Sequence, residues 1–273
     1  MRGGLRGLIG RIGSARLAVI AAAGIVTGCS GGIPQPSLVV GGLSSGQASA
    51  QAGSGLATAD RMEGNPFSDG SASVIAGREV IAKPTIEQVM QPASTLPEMS
   101  LGRADAPVTL IKYASMTCPY CRQFQLEAFP ELKRQYIDTG KMRFILREFP
   151  IGFQSGLATI ATRCVSQDRY FQAYDRLMRQ QGAWVSQDVR SEPIVKVLRD
   201  LGLTTEKLEV CRQDKALVSA LDAVKQRGRL LGIVGTPNFF INGKLVKSTL
   251  TLGDVKAIVD PLLAAPKPVA QRS

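Results

Sequence analysis

The chain has 273 residues and a formal net charge of +11, and it contains five cysteines but no histidine. The absence of histidine excludes Ser-His-Asp and Cys-His catalysis as well as imidazole metal sites. The basic residues are scattered, without an arginine-rich run or interleaved aromatic residues, so they predict a solvated basic surface and no nucleic-acid partner. Attraction to anionic lipid headgroups stays open.

The first 28 residues have the pattern of an export signal. They begin with arginines and no acidic residue, and a short apolar run follows over residues 17–26. This run is too short to span a bilayer as a lone helix, which favours a signal peptide, residues 1–28. Residues 26–29, Val-Thr-Gly-Cys, resemble the lipobox of bacterial lipoproteins, which would make Cys29 the diacylated first residue of the mature chain.

Two other interpretations of this segment stay open: a signal peptide cut elsewhere, for instance near residues 48–50, and an uncleaved short anchor. All three place the body outside the cytoplasm, where disulfides persist. We prefer the lipoprotein, and therefore expect a periplasmic protein held at a membrane by a lipid anchor on Cys29.

Residues 29–100 are predicted to be a flexible, largely disordered tether. Residues 30–59 consist mostly of Gly, Ser, Ala, Gln and Pro without the period of a helix or a strand. Within the mixed segment that follows, only residues 78–90 suggest a short helix or strand. Such a tether would let an anchored domain reach well away from its membrane.

The sequence Cys118-Pro119-Tyr120-Cys121 lies where a strand pattern over residues 108–113 gives way to a helix pattern. Two cysteines separated by two residues can close a strained disulfide that passes readily to other proteins. At the first turn of a helix, free N–H groups and the helix dipole stabilise a thiolate on Cys118, and Cys121 lies one turn deeper.

The alternative for this CxxC is half of a zinc site. Zinc would need two more Cys or His ligands, and the other cysteines, Cys29, Cys164 and Cys211, are far apart in the sequence. We therefore expect no metal and no other cofactor.

The next elements predict an α/β unit. Residues 142–149 form a second strand pattern, so the CxxC helix should connect two parallel strands by a right-handed crossover. Pro130 lies inside the helix pattern and should kink it or split it.

The remainder of the chain predicts a helical block and then a return to β-structure. Residues 156–228 contain several amphipathic stretches, two of which are expected to end at Gly202 and Gly228. Residues 238–241 and 244–248 are predicted to form a hairpin around Asn242-Gly243, before a closing helix (252–263) and a tail (264–273).

Four segments together resemble the DsbA-like thiol-disulfide oxidoreductases, above all those of alphaproteobacteria. They are residues 104–109 (ADAPVT), 113–121 (YASMTCPYC), 147–150 (REFP) and 235–243 (GTPNFFING). The resemblance covers residues 101–263. It implies the α/β thioredoxin fold, with a helical insertion between the strand-helix-strand unit and the C-terminal hairpin and helix.

The resemblance also assigns roles within the site. Cys118 would be an exposed nucleophile and Cys121 the resolving thiol, while Pro119 and Tyr120 would tune the redox potential. Pro237 matches the family's cis-proline, which would leave the backbone of Thr236 free to pair with an extended substrate. A trans-proline at the start of a strand is the alternative.

Lys112 departs from the family, because many relatives have a glutamate six residues before the first cysteine. A carboxylate there can accept a proton from the resolving thiol, which a charged lysine cannot do. Lys112 could instead stabilise a thiolate and make the protein more oxidising. Equally, it could extend to solvent and have no role.

Cys164 and Cys211 remain, and the resemblance implies a structural disulfide between them, since some alphaproteobacterial relatives have one. The alternative is a pair of buried free thiols, which an oxidising compartment disfavours.

Three functions follow from these observations. The preferred one is an exported oxidoreductase that introduces disulfides into unfolded or reduced exported proteins and is reoxidised by a membrane protein. The second is a reductase or isomerase for particular clients. The third is a binding or chaperone module on a thioredoxin scaffold in which the CxxC is only structural.

Overall fold

We analysed a computed structural model of the protein, which describes residues 80–247 and 249–265. The predicted signal peptide, Cys29, most of the predicted tether and nearly all of the tail lie outside the described residues. None of the helices in the described ranges is long and apolar enough to cross a membrane.

The described chain folds around a mixed β-sheet with helices on both faces. The helices are α1 (Ile86–Met90), α2 (Pro119–Gln123), α3 (Phe129–Leu132), α4 (Gly152–Cys164), α5 (Tyr170–Arg179), α6 (Gln181–Trp184), α7 (Glu192–Leu198), α8 (Thr205–Gln213), α9 (Lys215–Leu230) and α10 (Leu252–Ala264). The strands are β1 (Met99–Leu101), β2 (Val108–Ala114), β3 (Met142–Glu148), β4 (Asn238–Ile241) and β5 (Lys244–Val246).

The strand order is β1-β3-β2-β4-β5. β2 and β3 are parallel, as the strand-helix-strand pattern predicts, and the other neighbouring pairs are antiparallel. The carboxyl ends of β2 and β3 therefore lie at the same edge of the sheet as the start of β4, which brings the CxxC and the Gly-Thr-Pro segment together.

Alternate residues of the central strands build two apolar cores, one on each face of the sheet. Leu110, Phe144 and Phe239 belong to the larger core, which includes the CxxC helix and most of the helical block. Ile111, Ile145 and Phe240 belong to the smaller core, together with Val89 and Leu231. This arrangement buries β2 on both sides, which explains its nearly continuous apolar run.

The helix that begins with the CxxC continues past Pro130. Two π-helical turns, Phe124–Ala128 and Lys133–Ile137, flank α3, and Pro130 lies in the first turn of α3. The helix is therefore not split at Pro130. It widens locally into π-helical turns, which accommodate a proline that has no N–H to donate.

The predicted boundary between tether and body at residue 101 is wrong, because residues 80–100 pack on the sheet. β1 pairs antiparallel with β3. The buried Arg147 guanidinium donates hydrogen bonds to the carbonyls of Val89 (2.8 Å) and Gln91 (3.1 Å), and it pairs with Glu98 at 2.7 Å. The segment mixes polar and apolar residues without a clear period, so its order depends on partners far along the chain.

The helical insertion extends from α4 to α9 and so slightly exceeds the predicted residues 156–228. Gly228 does not end α9, which continues to Leu230. A Cβ atom at Gly228 would lie 2.8 Å from Cε1 of Tyr113 and 3.0 Å from Cδ2 of Phe149. Here glycine allows a helix to approach two buried rings, which is a packing role and not a stop signal.

The predicted hairpin is present. Asn242 and Gly243 join β4 to β5 with positive φ angles of 45° and 79°, as a type I′ turn requires. The second strand ends at Val246, two residues before the predicted position.

Candidate functional site

Cys118 is the N-cap of α2, and Pro119 occupies the first helical turn. The Cys118 sulfur accepts a hydrogen bond from the backbone N–H of Cys121 at 3.2 Å. Proline is suited to this position because its missing N–H would have no partner there. The sequence thus places a sulfur where a helix offers unpaired N–H groups and the positive end of its dipole.

The two cysteines differ in their exposure to solvent. Both are free thiols; Cys121 is fully buried, and Cys118 is 9% exposed. Cys118 is therefore more covered than the exposed nucleophile that we expected. Its sulfur lies 3.2 Å from the carbonyl oxygen of Thr236, so the loop before β4 packs against it. Tyr120, between the cysteines, is 57% exposed.

The same surroundings separate the acidities of the two thiols. Hydrogen bonding from Cys121 lowers the pKa of Cys118 to about 6, against an opposing effect of burial. Burial raises the pKa of Cys121 well above its usual value, and the hydrogen bond with Cys118 adds to this rise. At neutral pH Cys118 is thus mainly a thiolate and Cys121 a thiol.

Lys112 lies on β2 directly beneath the CxxC and is fully buried. Its Nζ donates to the carbonyl oxygen of Cys121 (3.3 Å) and to the hydroxyl of Tyr174 (3.2 Å). The Nζ also lies 4.4 Å from the centre of the Phe124 ring. The alternative in which Lys112 extends to solvent is therefore wrong, because its β2 position faces the larger core.

Burial lowers the pKa of Lys112 to about 8, and the sulfurs of Cys121 and Cys118 act in the opposite direction. The ammonium group in turn lowers the pKa of Cys121. The lysine is thus coupled electrostatically to the cysteine pair above it.

The Thr236–Pro237 peptide bond is cis, as the resemblance implies. The loop that presents it is held by Asn238, whose Nδ2 donates to the carbonyl of Gly235 at 2.7 Å. Thr236 and Pro237 lie opposite the CxxC, and the sheet edge brings these two sequence-predicted segments into one site.

Two further residues of the site could not be recognised in the sequence. Gln181, on α6, donates from Nε2 to the carbonyls of Met116 (2.7 Å) and Cys118 (3.2 Å), and so fixes the turn before α2. Tyr174 falls on the apolar face that the sequence predicts for α5, yet its hydroxyl accepts a hydrogen bond from Lys112 Nζ. Neighbouring residues do not mark either position as part of the site, because both contacts join the insertion to the distant strand-helix-strand unit.

The other predicted cysteine pair is not part of this cluster. Cys164, at the end of α4, and Cys211, on α8, form a disulfide with a Cα–Cα distance of 6.1 Å. It ties two helices of the insertion together. Cys29 lies outside the described residues.

This sheet topology, with a CxxC at the start of a helix and a cis-proline opposite, defines a thioredoxin-fold protein with a two-cysteine site. A family model described as thioredoxin matches residues 94–261. The chain belongs to this thioredoxin family, and its body is of the DsbA-like type.

Individual relatives agree with this assignment. A Rickettsia bellii protein named as a putative protein-disulfide oxidoreductase is 30% identical over 172 residues, which are 62% of this chain and 66% of that protein. Disulfide bond formation protein D of Bacillus subtilis is 25% identical over 170 residues, 59% of this chain and 74% of that protein. The match to the Rickettsia proteins covers 55–66% of their lengths.

Solved structures give the same picture. The crystal structure of Wolbachia pipientis alpha-DsbA1 superposes with a TM-score of 0.58 at 27% identity, covering 66% of this chain and 96% of that chain. BdbD from Bacillus subtilis has a TM-score of 0.57 at 21% identity and covers 68% of this chain and 99% of the other, which shows a shared fold.

Proposed function

We propose that the protein is an exported thiol-disulfide oxidoreductase that introduces disulfides into other proteins through Cys118 and Cys121. The observation that carries this proposal is the contrast between the two thiols. Cys118, at the helix start, has its pKa lowered to about 6, while burial raises the pKa of Cys121. A reactive outer sulfur above a protonated inner one is what thiol-disulfide exchange requires.

The exchange proceeds in two steps from the oxidised protein. A client thiolate attacks Sγ of Cys118, the Cys118–Cys121 bond breaks, and its electron pair moves to Cys121, which then takes up a proton. A second client thiolate attacks the client sulfur of this mixed disulfide and releases Cys118 as a thiolate. The client dithiol is thereby oxidised to a disulfide, and the protein is left with Cys118 and Cys121 reduced.

The surroundings of Cys118 favour this direction. A thiolate exists only in the reduced protein, so interactions that lower the pKa of Cys118 stabilise the reduced state and make the disulfide a stronger oxidant. Lys112 contributes a buried positive charge on the same side. The name of the Bacillus subtilis relative, disulfide bond formation protein D, agrees with this direction.

The client is a reduced or unfolded exported protein. We assign the backbone of Thr236 to pairing with an extended client segment, because it lies beside the Cys118 sulfur. The exposed ring of Tyr120 offers an apolar contact next to it. Pro119 and Tyr120 set the redox potential with Lys112, and a membrane disulfide protein returns the pair to the disulfide.

Two assays and an equilibrium test this proposal. We expect the purified protein to oxidise a peptide with two cysteines rapidly, to reduce insulin slowly, and to be oxidising in its equilibrium with glutathione. Rapid insulin reduction with a reducing equilibrium would instead support the reductase or isomerase. Absence of exchange in both assays would leave the binding or chaperone module.

The location is a separate part of the proposal. A diacylated Cys29 should hold the mature protein in the membrane fraction, because two acyl chains anchor a protein stably whereas one does not. We expect Cys29→Ala to abolish the modification and the associated cleavage, as mass spectrometry of the mature N-terminus would show. An unmodified N-terminus downstream of Cys29, on a protein found in the periplasmic extract, would contradict the anchor and leave the enzymatic proposal standing.

A further inference from the structure

Opening of the disulfide creates a proton requirement at the base of the site. The electron pair moves to Cys121, which is fully buried and whose pKa lies well above its usual value, so this sulfur must gain a proton. Lys112 is the ionisable nitrogen beneath it. Burial lowers the pKa of Lys112 to about 8, so this side chain can give up and regain a proton near neutral pH.

A line of polar groups leads away from Lys112 into the interface between sheet and insertion. Lys112 Nζ bonds the Tyr174 hydroxyl at 3.2 Å. Tyr174 borders a small cavity of about 10 Å³, which is about the space of one water molecule. The other polar groups that border it are Thr159, Thr162, Tyr170 and Glu148.

Glu148 connects this cavity to a larger one. Its Oε1 accepts hydrogen bonds from the Tyr170 hydroxyl (2.8 Å) and from Nε of Arg163 (2.5 Å). Glu148 and Arg163 also border a cavity of about 200 Å³ beneath residues 92–99, the segment that packs over β3. Tyr174 and Glu148 thus border the same small cavity, and Glu148 also borders the larger cavity beneath residues 92–99.

We propose that Tyr174 and Glu148 form a proton path that supplies Lys112, and through it Cys121, from the side of the protein opposite the client. This inference rests on the proposed exchange function and deepens it. When the disulfide opens, Lys112 gives a proton to the Cys121 thiolate and regains one through the Tyr174 hydroxyl. The proton enters at the cavity next to Glu148. Tyr174 acts through Lys112 and does not touch the reacting sulfurs.

The path has a clear purpose during catalysis. The mixed disulfide places a client chain over Cys118, which closes the front of the site at the moment when Cys121 needs its proton. A route from the back stays open under these conditions.

The test uses Tyr174→Phe, which removes the hydroxyl and keeps the ring. Tyr113→Phe is the matched control, because this buried tyrosine accepts a hydrogen bond from Arg147 in the smaller core on the opposite face of the sheet. The oxidised protein is reduced by dithiothreitol in a single turnover in H₂O and in D₂O. Acid quenching and alkylation then report the thiols of Cys118 and Cys121 over time.

We expect Tyr174→Phe to slow reduction roughly tenfold, a fraction of the usual effect of general acid catalysis. Its solvent isotope effect should exceed that of the wild type, because proton delivery becomes limiting, while its glutathione equilibrium should change little. Tyr113→Phe should match the wild type in rate and isotope effect. Glu148→Gln should also increase the isotope effect.

An unchanged rate and isotope effect in Tyr174→Phe, or equal slowing by Tyr113→Phe, would overturn the proton path and leave the exchange function intact. A wild-type protein without any exchange would overturn both.

Discussion

At the scale of single residues, the chemistry of the site depends on three charges or potential charges that share one small volume. Cys118 lies at the start of α2, Cys121 is buried one turn below, and Lys112 is buried beneath them both. Hydrogen bonding from Cys121 at the helix start lowers the pKa of Cys118, whereas burial disfavours the charged forms of Cys121 and Lys112. The surroundings of the two sulfurs thus shift their pKa values in opposite directions.

The alkylation rate of Cys118 in the reduced protein should follow its thiolate. We expect the rate to increase with pH, with a midpoint near pH 6, because the sulfur is protonated and unreactive at lower pH. Lys112→Met should move this midpoint to higher pH, because a nearby positive charge favours the thiolate. The same variant should be less oxidising in its equilibrium with glutathione.

Lys225→Met is the control for this experiment. Lys225 is likewise buried, at 2% exposure, but it lies on α9 above the ring of Phe149 in the smaller core. We expect it to leave the Cys118 midpoint unchanged. Equal midpoints in the wild type and Lys112→Met would show that the lysine charge has no influence on Cys118.

The order of the two cysteines can be tested by trapping. We expect Cys118→Ser to abolish turnover, since no sulfur remains for a client to attack. Cys121→Ser should accumulate mixed disulfides with clients, because the resolving thiol is lost. Peptide mapping of the linked residue reports the outcome, and adducts found only through Cys121, in the Cys118→Ser protein, would reverse the assignment.

At the scale of elements, close packing of α9 against β2 and β3 positions the helical insertion over the sheet. This contact depends on Gly228, where the backbone of α9 meets the rings of Tyr113 and Phe149. Both rings are at most 2% exposed, so neither can move aside freely. Gly228, a residue type that often ends helices, thus allows α9 to pack closely on the sheet.

Gly228→Ala should therefore lower the free energy of unfolding, although alanine is the better helix former by about 1 kcal/mol. Overpacking typically costs about 1–3 kcal/mol, so we expect a net loss of about 1 kcal/mol. Urea unfolding measures this change. Gly182→Ala is the control, because a Cβ atom at Gly182 in α6 would meet nothing within 4 Å, and its stability should stay equal or rise.

At the scale of the whole molecule, contacts between distant segments join the insertion, the N-terminal segment and the sheet. Arg147 on β3 holds residues 89–98 by a hydrogen bond to the Val89 carbonyl and an ion pair with Glu98. Gln181 joins α6 to the turn before the CxxC by a hydrogen bond to the Met116 carbonyl. The disulfide between Cys164 and Cys211 links α4 to α8, and its two cysteines are 47 residues apart in the sequence. Of these contacts, the hydrogen bonds from Gln181 on α6 hold the turn before the CxxC directly.

Loss of this disulfide should affect stability more than the chemistry at Cys118. A loop of this length predicts that Cys164→Ala with Cys211→Ala lowers the free energy of unfolding by about 2–4 kcal/mol. Urea unfolding in a Cys118→Ser background excludes any contribution from a disulfide between Cys118 and Cys121. Reductant should then destabilise the protein with the Cys164–Cys211 pair and leave the double alanine variant unchanged; equal responses would contradict a stabilising disulfide.

Local patterns in the sequence determined the elements around the candidate site. The position of the CxxC at a helix start, the parallel strands beside it and the Asn242-Gly243 turn all follow from the properties of neighbouring residues. These features depend on backbone hydrogen bonding and on allowed dihedral angles, which act over a few residues. The Gly-Thr-Pro segment was recognised by resemblance, because proline alone favours a trans bond.

Tertiary structure alone decided what surrounds these elements. The burial of Lys112, its bond to Tyr174 and the role of Gly228 depend on which helix of the insertion covers which part of the sheet. Residues 80–100 join the body because side chains far along the chain, among them Arg147, Arg163 and Arg227, donate hydrogen bonds to their carbonyl groups. Burial and electrostatic coupling are sums over contacts between segments far apart in the chain, and a single sequence does not contain those contacts in its local pattern.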